Sequence, residues 1–427
     1  MIERLKTIAL VILVTLSLFQ TYLLVYQTPH FEPIETEDYV QTEQADIQLQ
    51  VEQLIKPQLL TVHLGDGSQR IAYQETVFYE DLWKRWTSFT FENLQRTGYR
   101  LEQWDKARQE REGIEIQFPQ PISITLWKQL LNMNVDRTDE ELLFDTLYIS
   151  TRSNSADIEV WLINRQKQQI DTLTETNFEQ AELSRIVNEA ISQPIYRIID
   201  DRQFVPETGF DLPVIKANFE LNQNEQLWQR IFIDPGITRT LTERDGTKIY
   251  TDGNRGLQFK NNSRYIVYSD PVAQSSTNAT VDEGLSSAVQ FVNEHGGWNG
   301  SYMLSEMSRK SEQEEFVYEF RQMLNGYPLI ADEYNWFGYS KVKMKSGTVS
   351  GYQRTMLDIQ TSASTERMVT LPGAEEIVSR LESELQNTSL LSIRLAYQVA
   401  VNQQSLDCVP GWYVTFTDGS TRWLRDQ

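Results

Sequence analysis

With 427 residues, 40% of them hydrophobic and 11% aromatic, the chain is long enough for two to four packed domains and too apolar for a disordered tail. Its 39 Lys and Arg stand against 60 Asp and Glu, and a formal net charge of -21 repels phosphate backbones and argues against nucleic-acid binding. One cysteine, Cys408, excludes an intramolecular disulfide framework and any cysteine-based metal site made by one chain. Three histidines, His30, His63 and His295, are too few and too scattered for an imidazole metal centre, so neither a metal nor a cofactor is expected.

The first element in the chain is an apolar run. After Arg4 and Lys6, Ile8 to Tyr26 gives nineteen residues without a charge. As a helix rising about 1.5 Å per residue it is roughly 28 Å long, enough to cross a bilayer. No small-x-small cleavage pattern follows it, which predicts an uncleaved anchor at 8–26 behind a cytoplasmic tip at 1–7. No Lys or Arg recurs until Lys56, while Glu32, Glu35, Glu37, Asp38, Glu43, Asp46 and Glu52 are acidic. The basic side stays in the cytoplasm, so the remainder is expected outside the cell, and it carries nearly all of the charge. Within the span, Ser17, Gln20 and Thr21 stand at i, i+3 and i+4 and share one face. In lipid, helices associate through packing and polar contacts, which makes this face the candidate for binding partner helices.

Residues 27–56 read as a stalk. Beyond it, Gln58 to Leu64 and Arg70 to Val77 flank Asp66-Gly67 as a hairpin, and Tyr79 to Thr97 has helical spacing. Strands at Ile114 to Phe118, Thr146 to Thr151 and Ile158 to Asn164, with a helix in Pro121 to Leu131, complete an α+β domain over 57–175. A helix at Phe178 to Ile191 and short strands at Ile237 to Leu241, Thr247 to Thr251, Gly256 to Lys260 and Tyr265 to Ser269 predict a β-rich middle domain over 176–280. The last region, 281–427, alternates helices at Val281 to His295 and Ala374 to Leu385 with strands. The fold class is therefore α+β: one transmembrane helix, then about three mixed domains.

Several motifs carry no chemistry on inspection. Ser340-x-x-Lys343 beside Lys345-Ser-Gly347 imitates a penicillin-binding site, but there the Lys-Ser-Gly element lies far along the chain. The Asp-Gly pairs at 66, 245, 252 and 418 lack the acidic alternation of a calcium loop and predict turns. Glu294 to Gly300 lacks the Lys-Ser of a phosphate loop and predicts a helix terminus. Pro410, Gly411 and Trp412 predict a strand entry and a core aromatic.

The order of four segments along the chain resembles the YycH family: the anchor with Leu16-Ser17-Leu18 and Thr21, then Lys248 to Leu257, Asn325-Gly-Tyr-Pro-Leu329, and Val409-Pro-Gly-Trp-Tyr-Val414. The resemblance implies a single-pass regulator without enzymatic activity. It implies association through the anchor with the WalK (YycG) sensor histidine kinase of a system controlling cell-wall metabolism in Gram-positive bacteria. It also implies a second regulator, YycI, as partner, and a C-terminal domain similar to YycI. The residues alone leave two alternatives: an anchored wall hydrolase or transferase, and an extracellular ligand-sensing module.

Overall fold

In the computed structural model the described residues are 47–427 except 137–141, 153–154, 156, 200–202, 223–230, 233–234, 274–279, 311–314, 332–336, 346, 361–363, 385–388 and 425–427, together with 4, 6, 10 and 13–17. Residues Met1–Ala45 and Asp46–Gln427 form separate units, and both large sheets belong to the second. The expected anchor at 8–26 falls mostly outside the described residues, among which no helix is long and apolar enough to cross a membrane.

The central strands of the first sheet are buried on both faces, whereas strands of the second alternate buried and half-exposed residues, as Tyr339 to Met344 do. The first has ten strands: β1 (Leu59–Leu64), β2 (Gln69–Ala72), β3 (Thr90–Arg96), β4 (Glu112–Ser123), β5 (Asn132–Asn134), β6 (Leu143–Thr151), β7 (Ile158–Asn164), β8 (Gln169–Thr176), β9 (Ile195–Ile199) and β10 (Gln203–Pro206). Their order is β10, β9, β2, β1, β4, β6, β7, β8, β3, β5. The helices are α1 (Val51–Leu54), α2 (Val77–Trp86), α3 (Leu101–Glu110), α4 (Ile124–Leu130) and α5 (Gln180–Ala190). Helix α5 lies on β1 and β4, where Leu183, Ile186 and Ala190 are buried. On α3, buried Leu101, Trp104, Ala107 and Arg108 repeat at helical spacing.

The expected helix at Tyr79 to Thr97 stops at Trp86, and after a turn at 87–89 the chain enters β3. Asn93 takes φ +60° inside the strand, yet the register on β8 is unbroken, from Glu92↔Glu175 to Leu94↔Leu173. Phe89, packed on Trp86 and Phe178 from the turn, and Leu94, buried on the strand, continue the spacing of Leu82 and Trp86 in sequence and so imitate a longer helix.

Among the described residues the second sheet has fifteen strands and runs to residue 424. They are β11 (Phe210–Leu221), β12 (Arg239–Thr242), β13 (Lys248–Thr251), β14 (Gly256–Lys260), β15 (Tyr265–Ser269), β16 (Ser301–Lys310), β17 (Glu315–Leu324), β18 (Tyr327–Ala331), β19 (Tyr339–Lys345), β20 (Thr348–Thr355), β21 (Leu357–Ile359), β22 (Ser364–Leu371), β23 (Leu390–Val401), β24 (Ser405–Phe416) and β25 (Thr421–Leu424). The main path is β12, β13, β14, β15, β20, β19, β17, β18, β23, β24, β11, β21, with β16 on β17, β22 on β11 and β25 on β24. Two helices, α6 (Val281–Glu294) and α7 (Ala374–Glu384), accompany it. One continuous core joins the sheets, from Leu60, Trp86 and Trp127 through Val289 to Tyr318 and Tyr352. The mixture of helices and strand-rich sheets is the expected α+β class.

Helix α6 begins with a reciprocal cap. The Glu283 N–H donates to Thr280 Oγ1 at 3.2 Å, and the Thr280 N–H donates to Glu283 Oε2 at 3.0 Å. Replacing Thr280 by alanine is expected to cost about 1 kcal/mol in urea unfolding; a change below about 0.3 kcal/mol would show that packing alone sets the helix start. The same helix receives the segment at residues 47–49. Asn293 accepts from the Leu49 N–H at 3.0 Å and donates to the Leu49 carbonyl at 2.9 Å, and Ile47 bridges to Trp298.

Candidate ligand cleft between the sheets

The motifs set aside as structural are committed to structure. In each Asp-Gly pair the glycine has φ between +83° and +99°, and the aspartate accepts a hydrogen bond from a backbone N–H two residues on: Ser68, Thr247, Asn254 and Ser420. At the end of α6, Gly296 and Gly297 take positive φ and the Gly297 N–H donates to the Val292 carbonyl. Ser340 and Lys343 sit on β19, three residues apart, so they point to opposite faces and form no nucleophile-base pair. Cys408 is buried in the second sheet, and burial pushes its thiol up to about 12, the condition of an inert packing residue.

Two of the segments that single out this chain converge on one place. A cavity of about 400 Å³ opens between the sheets, walled on the second-sheet side by Gly326, Tyr327, Pro328, Leu391–Leu395 and Trp412. Its volume lies in the range of small-ligand sites, about 300–1,000 Å³. The Asn325-Gly326 hairpin turn between β17 and β18 forms one lip, where Asn325 has φ +51° and Gly326 φ +77°. Tyr327 packs between Tyr73, at 5.3 Å, and Tyr397, at 6.1 Å. Trp412 is fully buried behind the wall, and its Nε1 donates to the Pro372 carbonyl at 3.3 Å. A second cavity of about 280 Å³ shares Gln120, Pro121 and Gln166 with the first and extends the groove toward α6, where the Ser123 hydroxyl donates to Asp282.

Charge in the main cavity is unevenly satisfied. Arg165 is held by Asp145, its Nε donating to Oδ1 at 2.8 Å, and by the reoriented Gln117 amide. Across the cleft, Arg394 on β23 stands 5.7 Å over the Tyr413 ring, and its buried Nε has no hydrogen-bond partner among the described residues. The carboxylate it feels, Glu319, is already paired with Arg321 and with Lys341 at 2.8 Å. Burial, with the Arg321 charge beside it, draws the Arg394 pKa below its ordinary value. Among the described residues, the cleft therefore offers an uncommitted cation in a setting of aromatic, proline and glutamine side chains.

Of the residues expected to bind partners, Ser17 is helical and exposed, whereas Gln20 and Thr21 lie outside the described residues. Nothing in the sequence marks Arg394 as a site residue, because the significance of an arginine on a strand depends on which carboxylates neighbouring strands bring to it.

Comparison with known proteins bears on the whole length. The family described as YycH protein, N-terminal domain, matches residues 3–205, and YycH protein, C-terminal domain, matches residues 200–423. A crystal structure of YycH from Bacillus subtilis is similar with a TM-score of 0.71 at 18% identity, over 89% of this chain and 98% of that one, a likeness of fold. An uncharacterized protein from Eubacterium rectale reaches only 0.36 at 12% identity, over 55% of this chain and 90% of that one, and carries no argument. No curated protein matches the sequence. The two family matches meet at residues 200–205, where the first sheet gives way to the second, and on that agreement the chain belongs to the YycH family.

Proposed function

We propose that this YycH-family chain is a non-enzymatic regulator of the WalK (YycG) sensor histidine kinase, acting with YycI in a two-component system that controls cell-wall metabolism. The observation that carries the reading is family membership over both halves of the chain. The protein is anchored by residues 8–26 with its amino terminus in the cytoplasm and its two sheets outside. Kinase and YycI helices meet the face carrying Ser17, Gln20 and Thr21. Each polar contact of this kind contributes roughly 0.6–2 kcal/mol in a membrane, enough to bias an assembly and weak enough to leave it reversible.

Two measurements test it. Ser17→Ala combined with Gln20→Leu is expected to weaken pairing in a membrane two-hybrid assay by about fivefold or more, the equivalent of ~1 kcal/mol. Pull-down from membranes is expected to recover the kinase with the native anchor and to lose it when the anchor is exchanged for an unrelated one. Equal recovery with the exchanged anchor would reject contact through the helix and move the binding surface to the sheets. A ligand-sensing role is compatible with regulation, because a ligand shifts an assembly whenever it binds one arrangement better than another. The cleft is the specific observation in its favour.

A further inference from the structure

The edge of β23 inside the cleft is an unfinished ladder. Its partner β18 runs parallel to it, and their pairing begins only at Leu329↔Tyr397. Residues 391–395 extend past that start and line the cavity. Ahead of Leu329, β18 holds only Tyr327 and Pro328 after the Asn325-Gly326 turn, and Pro328 has no N–H to give.

The direction of the free groups follows from register. Backbone groups alternate sides along an antiparallel pair, and on β23 the Ile393 N–H goes to the Gln203 side chain rather than to β24. Leu395 has the same phase, and so does Tyr397, whose opposite on β24 is Pro410, a residue without an N–H. The edge at Leu391, Ile393 and Leu395 therefore faces the cleft. Gln203 covers its first part as a neighbouring strand would: Oε1 accepts from the Ile393 N–H at 3.1 Å, and Nε2 donates to the Leu391 carbonyl at 3.4 Å. The Ile393 carbonyl and the Leu395 N–H come next on the same edge, with no partner among the described residues. Beside them stands Arg394, whose guanidinium has no carboxylate paired to it among the described residues.

An acceptor, a donor and an uncommitted guanidinium along one strand edge are the requirements for binding by strand addition, in which main-chain hydrogen bonds hold the ligand and a neighbouring side chain selects it. Two steps from Ile393 to Leu395 at about 3.3 Å span ~7 Å, the part of the edge that Gln203 leaves open to one or two residues of an extended chain. Tyr327 and Phe204 offer apolar surface to its side chains. We propose that the cleft binds a short extended peptide that pairs with β23 at Ile393 and Leu395 and places a carboxylate on Arg394. Selectivity for a carboxylate comes from the local charge, since a protein of net charge -21 repels anions elsewhere. This inference is independent of how the anchor engages the kinase.

The test uses the full-length protein in detergent micelles and fluorescently labelled tetrapeptides of valine and threonine. One peptide ends in an aspartate side chain with an amidated terminus, and its asparagine counterpart is the neutral control. A third carries only a free C-terminal carboxylate, and a fourth is the aspartate peptide methylated on its central amide nitrogens. Fluorescence anisotropy is expected to show at least tenfold tighter binding of a carboxylate peptide than of the neutral control. The aspartate and free-terminus arms tell which carboxylate the site takes. Arg394→Gln should remove that tenfold preference while leaving the thermal melt within a degree or two, and Arg394→Lys should retain part of it. Amide methylation should weaken binding at least tenfold, because it deletes the donor to Ile393. Equal affinity for neutral and acidic peptides, an Arg394→Gln variant that keeps the preference, a methylated peptide that binds as well, or no binding of any peptide at millimolar concentration would each overturn the proposal.

Discussion

Replacing Gly326 by alanine is expected to cost about 2–5 kcal/mol of stability, whereas the same change at Gly67 should cost only about 1–2 kcal/mol. Both glycines occupy left-handed backbone, with φ +77° and +83°. Their surroundings differ. A Cβ at Gly67 meets nothing within 4 Å, while one at Gly326 would lie 1.8 Å from the Gln74 carbonyl oxygen and 2.7 Å from its carbon. Those are backbone atoms that cannot rotate aside, and Gln74 is buried and tied through its Nε2 to the Pro57 carbonyl at 2.8 Å. The Asn325-Gly326 turn of the second sheet is thus pressed against the first sheet, and its displacement would also move Tyr327, a wall of the cleft. Paired urea titrations separate the terms: the conformational penalty is common to both variants, and the excess at Gly326 measures the close approach. Equal losses at the two positions would mean that the hairpin tip yields freely and that the sheets are not locked there.

This contact shows how much of the architecture local sequence could carry. Asp66-Gly67 announces the β1–β2 pair whose register runs from Leu60↔Ala72 to His63↔Gln69, whereas the hairpin turn at Asn325-Gly326 came from the structure. Helix α6 was legible as the run Val281 to His295 closed by the two glycines, while its Thr280–Glu283 cap came from the structure. What lay beyond the sequence is everything set by distant partners. The Gln203 side chain completes a strand edge 190 residues away, and Arg394 becomes noteworthy only because Glu319 is spent on Arg321 and Lys341. Asn325 to Leu329 and Val409 to Val414 were visible as distinctive segments, and strand entry and a core tryptophan described their local roles. That Gly326, Tyr327, Pro328 and Trp412 surround one cavity follows from β18, β23 and β24 lying side by side, an order that no local pattern encodes. The segment after Trp86 misled in the opposite sense, because Phe89 and Leu94 reach the same core from a turn and a strand at a spacing that continues the helix's own.

Removing the His63 side chain is expected to destabilise the protein by about 3–5 kcal/mol near pH 8, the range for breaking a buried charged pair. His63 and Glu115 are wholly enclosed beneath helix α3, with Nε2 3.1 Å from Oε2. Tyr148 lies edge-on to the imidazole at 5.7 Å, and Arg108, stacked on Trp104 at 4.0 Å, supplies positive charge from the helix. Burial lowers the pKa of His63 below 6.5, the hydrogen bond to Glu115 notwithstanding. For Glu115 burial works toward neutrality, but the His63 hydrogen bond and the charges of Arg108 and Arg165 outweigh it and hold the carboxyl below 4.5. Above pH 6.5 the imidazole is therefore neutral and donates to an ionised carboxylate, for which His63 is the one hydrogen-bond donor among the described residues. Alanine at 63 strands that charge.

The sign of the pH dependence follows from the same shifts. An unfolded chain takes up a proton at His63 as the pH falls through 6.5, while the folded chain resists it, so stability present above pH 6.5 is lost at up to ~1.4 kcal/mol per pH unit below it. The depressed Glu115 adds a loss of the same sign below pH 4.5. In His63→Ala the first loss is absent, and the stranded Glu115 is relieved by protonation, so the gap between wild type and variant should narrow from pH 8 to pH 5. With only three histidines in the chain, few other groups titrate in that window. Urea midpoints at the two pH values decide it: a penalty that stays constant would show that His63 contributes only packing, and that the sheet beneath α3 holds no coupled proton.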